Sequence, residues 1–235
     1  MRIDSTVPTG WSELTQQQLL YACFLLSFGH YEPDQIKALC LIRWGKLTQE
    51  QLEVIKLEQI AAFLPMMDWL LDIPSRPVCL ERIQGQEAKE NADFQGVRFE
   101  DYLIIEANYQ GYIRHKDISL LNDISGYLYG KRLELTPAEA YSIFLWVASV
   151  KQLFAQRFPH FFVPAPVEER EKEDEGALFE RLRSARNMQI RALTKGDITK
   201  EKEIYGMDTW RALTELDAQA EEYEQLKKQY DAHGK

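Results

Sequence analysis

Apolar residues recur at steps of three and four along most of this chain, the spacing of helices that bury one face. Phe99, Tyr102, Ile105, Tyr109 and Tyr112 share such a face. The next segment opens at Asp117 and carries Leu120, Leu121, Ile124 and Leu128 as its apolar set. In Ile143-Phe144-Leu145-Trp146-Val147-Ala148 the pattern closes up and no polar face is left. The helix from Pro137 to Phe158 therefore belongs at the centre of a bundle. Earlier helices are expected over about 15–28, 34–43, 48–63 and 66–72, punctuated by Pro33, Pro65 and Pro74. Residues 76–98 change character. Pro77 to Ile83 and Phe94 to Phe99 flank a polar stretch there, which reads as a small hairpin or an ordered loop.

Three segments carry one helix-start signal: Leu14-Thr15 with Gln18, Leu47-Thr48 with Gln51, and Leu135-Thr136 with Glu139. In each, the Thr hydroxyl accepts from a free amide of the first turn. The Gln or Glu three residues on reaches back to the cap residue's own amide, and the preceding Leu can pack on the apolar residue at the fourth helical position. Pro137 stands at the first helical position, where its missing N–H costs nothing. The first two starts lie 33 residues apart, each preceded by a Trp (Trp11, Trp44). Two copies are too few for a solenoid, and capping chemistry alone accounts for the match.

Past residue 163 the composition shifts. Pro164-Ala165-Pro166 and the acidic run Glu168 to Glu175 read as a stiff, solvated linker over residues 164–176. A helical bundle over residues 1–163 and a helical appendage over residues 177–235 would flank it. In the appendage Leu178, Leu182, Ala185, Gln189 and Leu193 form a thin stripe, and Gly196-Asp197 breaks the helix. The last helix carries Trp210, Leu213, Leu216, Ala220, Tyr223 and Tyr230 on a narrow stripe, as expected of a helix that packs on one partner. The fold class is mainly α.

The 45% of apolar residues suffices for a core. The net charge of −9 disfavours a non-specific nucleic-acid binder and an anionic membrane surface. Leu19 to Phe28 and Tyr141 to Val150 are far shorter than the ~20 residues of a membrane span, and the opening MRIDSTVPTG lacks the apolar stretch of a signal peptide. Cys23, Cys40 and Cys79 form no C-x-x-C pair and sit among apolar neighbours, so each reads as a small buried hydrophobe in a reducing compartment. The expected location is cytoplasmic.

Chemical signals are sparse. His30, His115, His160 and His233 have no paired spacing and no Cys nearby, so neither metal nor cofactor is expected. Gly126 to Arg132 superficially resembles a P-loop. It is one residue short, and Arg132 stands where Ser or Thr would bind magnesium. Gly126 reads instead as a close-packing position and Gly130 as a helix end. Glu106, beside the aromatic stripe, is a candidate general acid or base with Asp101 or Asp123, and its plainer role is a carboxylate paired at the stripe edge. Arg181, Arg183, Arg186, Arg191 and Lys195 form a basic run that no acid interrupts after Glu180. It reads as a docking face for an acidic partner or a phosphate backbone, with internal neutralisation as the plainer alternative.

Two stretches carry a family resemblance. One runs from Phe99-Glu100-Asp101-Tyr102 through Glu106-Ala107 and Leu120-Leu121 to Leu128-Tyr129. The other joins Arg191-Ala192-Leu193-Thr194-Lys195-Gly196-Asp197 to Trp210-Arg211-Ala212-Leu213-Thr214-Glu215-Leu216. Together they resemble uncharacterised proteins of prophage and phage structural-gene clusters of gut Bacteroidetes. The resemblance covers about a third of the chain and rests on packing and turn residues. It implies a tail-module protein, namely an assembly chaperone, adaptor or minor component, cytoplasmic in the bacterial host or associated with the virion. No catalytic residue comes with it.

The function expected from all this is non-enzymatic protein–protein interaction. Arg181, Arg183, Arg186, Arg191, Trp210, Leu213, Leu216 and Tyr223 would form the partner-binding set, for a client or a second copy of the chain. A nucleic-acid-associated regulator using residues 181–195 and an enzyme built around Glu106 are the competing readings.

Overall fold

In a computed structural model, described over residues 7–54, 56–89, 92–163 and 175–233, the chain is mainly helical with one two-stranded hairpin. It divides into two compact units. One comprises Met1–Glu90 and Tyr112–Gln152, the other Asn91–Gly111 and Leu153–Lys235.

The first unit begins with α1 (Gln16–Ser27), α2 (Pro33–Trp44), α3 (Gln49–Val54) and α4 (Leu57–Ala61), followed by a 3₁₀ segment, Leu64–Leu71. Thr15 starts α1 with the expected reciprocal cap: Gln18 N–H donates to its hydroxyl (3.3 Å) and Thr15 N–H donates to Gln18 Oε1 (2.9 Å). Thr48 and Gln51 repeat this at α3. The expected helix over 48–63 is cut in two, because Lys56 takes an extended conformation and caps α4. Ala22, Leu25, Ile36, Cys40, Leu41, Trp44, Met67 and Leu70 close the core of these elements. Trp69 stacks on Trp44 and meets Trp11 edge-on, so the two Trp residues that precede the matched helix starts join one aromatic cluster rather than two repeats.

The segment after the 3₁₀ turn holds a short hairpin, β1 (Arg82–Ile83) against β2 (Gln86–Glu87). Its turn residues Gln84 and Gly85 have φ of 48° and 79°, the paired positive values that a tight primed turn requires. The hairpin thus pairs the end of the first apolar flank with the start of the polar stretch, and the second flank, Phe94 to Phe99, contributes neither strand. Three bonds tie the segment down. Tyr129 Oη donates to the Leu80 carbonyl (2.6 Å), Val78 N–H to Ser149 Oγ (3.1 Å), and Lys89 N–H to the Leu128 carbonyl (2.9 Å).

Three longer helices follow: α5 (Phe99–His115), α6 (Ile118–Tyr129) and α7 (Pro137–Arg157). The boundary between the units falls within α5 and α7. Asp117 caps α6, and Gly130 ends it in the left-handed conformation (φ 75°). Thr136 and Glu139 form the third reciprocal cap, at α7. Ile143, Leu145, Trp146, Val147, Ala148 and Val150 are all buried, as a helix without a polar face must be.

The second unit adds α8 (Glu175–Thr194), a short α9 (Glu201–Tyr205) and the 25-residue α10 (Thr209–His233). Gly196 takes a left-handed conformation and Asp197 caps the next turn, as the sequence break predicts. No helix among the described residues is long and apolar enough to cross a membrane.

The domain boundaries depart from the expected 1–163 body and 177–235 appendage. The C-terminal helices share their unit with residues 91–111 and 153–163. Of the expected linker, residues 164–174 lie outside the described residues, and residues 175 and 176 open α8.

Candidate protein interface

The second unit is assembled around aromatic rings. Phe94, Tyr102, Phe158 and Trp210 surround Phe154 with ring centres 5.4 to 5.9 Å away, at the tilted and edge-on angles that aromatic quadrupoles favour. The start of α10 is bonded to the strand-like segment before α5. Phe99 N–H donates to the Met207 carbonyl and Thr209 N–H to the Val97 carbonyl, both at 2.8 Å. Asp208 Oδ2 accepts from Gly96 N–H (2.7 Å), and Trp210 Nε1 donates to the Asp93 carbonyl (2.9 Å).

These contacts correct part of the predicted partner-binding set. Trp210 is half-buried against Phe154 and Phe158, and its indole N–H is taken by the backbone. Leu213 is 0% and Leu216 4% exposed. An amphipathic stripe shows that a helix packs on something. It does not say whether that surface belongs to the same chain, and here residues of the second unit cover the stripe's first half.

One turn later Asp217 Oδ1 accepts from the backbone N–H groups of His160 and Phe161, each at 2.9 Å. His160 Nδ1 lies 3.5 Å from Glu224 Oε2. Beyond that level the apolar stripe continues but its cover does not. Leu216, Tyr223 and Tyr230 are spaced by sevens, and Leu226 falls between the last two at the complementary step of three and four. Tyr223 is 70%, Leu226 53% and Tyr230 77% exposed. Tyr223 thus sits where the sequence reading put it, on open surface. Leu226 was missed there, although counting the stripe in heptads from Leu216 would have found it.

The basic run lies on α8, where Arg181, Arg183, Arg186 and Arg191 are all exposed. Arg183 reaches Glu180 (3.8 Å), and the Arg186 guanidinium lies over the Tyr205 ring, 5.3 Å from its centre. Among the described residues neither Arg183, Arg186 nor Arg191 pairs with a carboxylate of α10, so neutralisation by the last helix does not occur for these three. Arg183, Ser184, Asn187, Met188 and Arg191 line one open hollow of about 390 Å³ along this face.

Elsewhere, ionisable groups are scattered. Glu106 Oε1 accepts from Gln110 Nε2 (2.8 Å). Asp101 is held by the Arg98 guanidinium at 2.9 and 3.0 Å. Asp123 belongs to the other unit, where Arg132 donates to it (2.6 Å). Arg132 also pairs with Glu134, and neither interaction involves a phosphate cradle. Burial, with the Glu106 carboxylate as a lesser cause, holds the Tyr102 phenol well above its usual pKa. Burial pushes the Cys23 and Cys40 thiols up to about 12, far from the range of a reactive thiolate. Among the described residues no group of three or more His, Cys, Asp or Glu side chains is placed to hold a metal.

No family model, no curated protein and no solved structure matches the chain.

Proposed function

We propose that this chain acts by binding another protein helix along the C-terminal half of α10, without catalysing a reaction. The observation that carries this is the bare stretch of seam at Tyr223, Leu226 and Tyr230, on the same helix and in the same heptad frame as the buried Thr209, Ala212 and Leu216. A solvated helix gains nothing from an exposed apolar stripe. A helix that meets a second helix there removes two tyrosines and a leucine from water. Tyr is also a side chain that supplies large contact area at small conformational cost. The exposed arginines of α8 add a positive face that favours an acidic partner surface. In the setting that the family resemblance implies, this contact serves assembly of a phage-type tail module, with the protein as chaperone, adaptor or minor component.

Site-specific photocrosslinking in the native cell tests this. A benzophenone side chain at Tyr223 or Tyr230 is expected to give discrete protein adducts. The same probe at Gln225, on the opposite face of α10, is expected to give none. Mass spectrometry of the adduct then identifies the partner, and a tail-module protein supports the assembly setting. Equal labelling from both faces, or no adduct from either, overturns the interface.

A further inference from the structure

Resting on that interface reading, we infer that the partner is a second copy of this chain, its α10 lying beside the first in the same direction. The charges that border the bare seam carry the inference. Glu222 precedes Tyr223 and Lys227 follows Leu226. At about 100° per residue these two side chains flank the apolar stripe, about 70° to either side of it. In heptad terms, with Leu216, Tyr223 and Tyr230 at one core position and Leu226 at the other, Glu222 and Lys227 occupy the two flanking positions.

Two parallel helices bring the leading flank of one beside the trailing flank of the next heptad on the other, five residues further on. The interval from Glu222 to Lys227 is that step. Glu222 of each copy therefore meets Lys227 of the other, and the two-fold symmetry of a dimer makes the pair twice. If one helix is reversed, like flanks face each other, which sets Lys227 against Lys227 and removes both attractions. Charge thus selects the direction as well as the partner. A foreign helix would have to supply both complementary charges itself, whereas this helix already carries each one opposite the other.

The two groups are available for this. Among the described residues neither Glu222 nor Lys227 enters an ion pair, whereas the neighbouring Glu221 and Glu215 accept hydrogen bonds from Gln225 and Gln219 one turn on. Upstream, from Thr209 to Leu216, the same face of α10 is covered by its own unit. Contact is therefore confined to the last three turns, and the helices must cross there and diverge toward Leu216.

Sedimentation equilibrium of the full chain over a wide concentration range tests the pairing, with circular dichroism to confirm that each variant is folded. The expected result is a mass that rises from one chain toward two. Glu222→Lys and Lys227→Glu, made singly, turn both attractive pairs into repulsive ones, and each weakens dimerisation by about tenfold. The double variant restores the charges in exchanged positions and brings dimerisation back. An equimolar mixture of the two single variants, each weak alone, associates as strongly as the parent. A parent that stays monomeric, single variants that dimerise undiminished, or a double variant that fails to recover overturns the pairing. If the parent is monomeric while the Tyr223 probe captures a protein of different mass, self-association fails and the interface stands. If the probe captures nothing either, both fail.

Discussion

The two halves of α10 are written in one pattern and treated in opposite ways. From Thr209 to Leu216 the seam is sealed, with Thr209, Ala212 and Leu213 wholly buried. From Tyr223 to Tyr230 its apolar residues stand in water. Composition does not distinguish the halves, since both carry aromatic and aliphatic residues at the same period. What differs is whether the fold supplies an opposing surface. In the first half, Thr209 is bonded to the Val97 carbonyl, and on the adjoining face Phe154, Phe158 and the Asp93 carbonyl stand against Trp210. Further along, Tyr223, Leu226 and Tyr230 remain 70%, 53% and 77% exposed. Periodicity therefore reports that a helix packs, and only tertiary structure reports against whom.

Truncation should separate the halves most sharply. Leu213→Ala empties a site with no solvent exposure and should cost about 3 kcal/mol, read by urea denaturation. A cost below about 0.5 kcal/mol, the scale of surface substitutions, would mean that the first half is no more embedded than the second. Asp217→Ala should come next, at about 2 kcal/mol. It leaves the backbone N–H groups of His160 and Phe161 without their shared acceptor in a partly buried setting.

The elements that could be read from sequence are those whose cause is local. Thr15, Thr48 and Thr136 announce their helices because a cap needs only the next three residues. The continuous apolar run in α7 foretells its burial because no rotation of that helix offers a polar side. The Gln84-Gly85 turn is local too, but Gln at a positive φ is an uncommon choice and gives little warning. What could not be read is which strand of the sequence returns to cover which. Asp208 reaches Gly96 and Trp210 reaches Asp93 across more than a hundred residues, and no spacing rule encodes those meetings. Nor does any spacing rule foretell that residues 91–111 and 153–163 group with the C-terminal helices in one unit. Of the candidate interface, Tyr223 was legible as an apolar position on a sparse helix. The burial of Leu213 and Leu216 was not.

A milder test uses pH to probe the covered side. Burial raises the Tyr102 phenol well above its ordinary value of 10.0. Above about pH 10 the unfolded chain releases this proton while the folded chain keeps it, so the folded state binds more protons and loses stability as pH rises. The contribution is complete below pH 10 and falls by at most about 1.4 kcal/mol per pH unit above it. Tyr102→Phe, which has no proton to lose, should flatten the alkaline limb of stability against pH. An unchanged limb would show that the ring cluster beneath α10 is open to water.

The smallest expected effect is on stability at the bare half, and it is the most informative. Tyr223→Ala and Leu226→Ala should each change the folding free energy of the isolated chain, measured at concentrations too low for association, by less than about 0.5 kcal/mol. The side chains they truncate are 70% and 53% exposed and close no part of their own unit's core. Alanine is also the better helix former, so the loss of ring or branch is partly offset by propensity. The same substitutions should sharply weaken any association read by sedimentation, since the apolar surface they delete is what a second helix would cover. The two measurements thus separate these variants from Leu213→Ala, which lowers stability at any concentration. If Tyr223→Ala instead destabilised the chain at high dilution by 2 kcal/mol or so, the tail would be packing against its own chain in solution. The seam would then be one continuous core contact, and the contrast between the two halves of α10 would vanish.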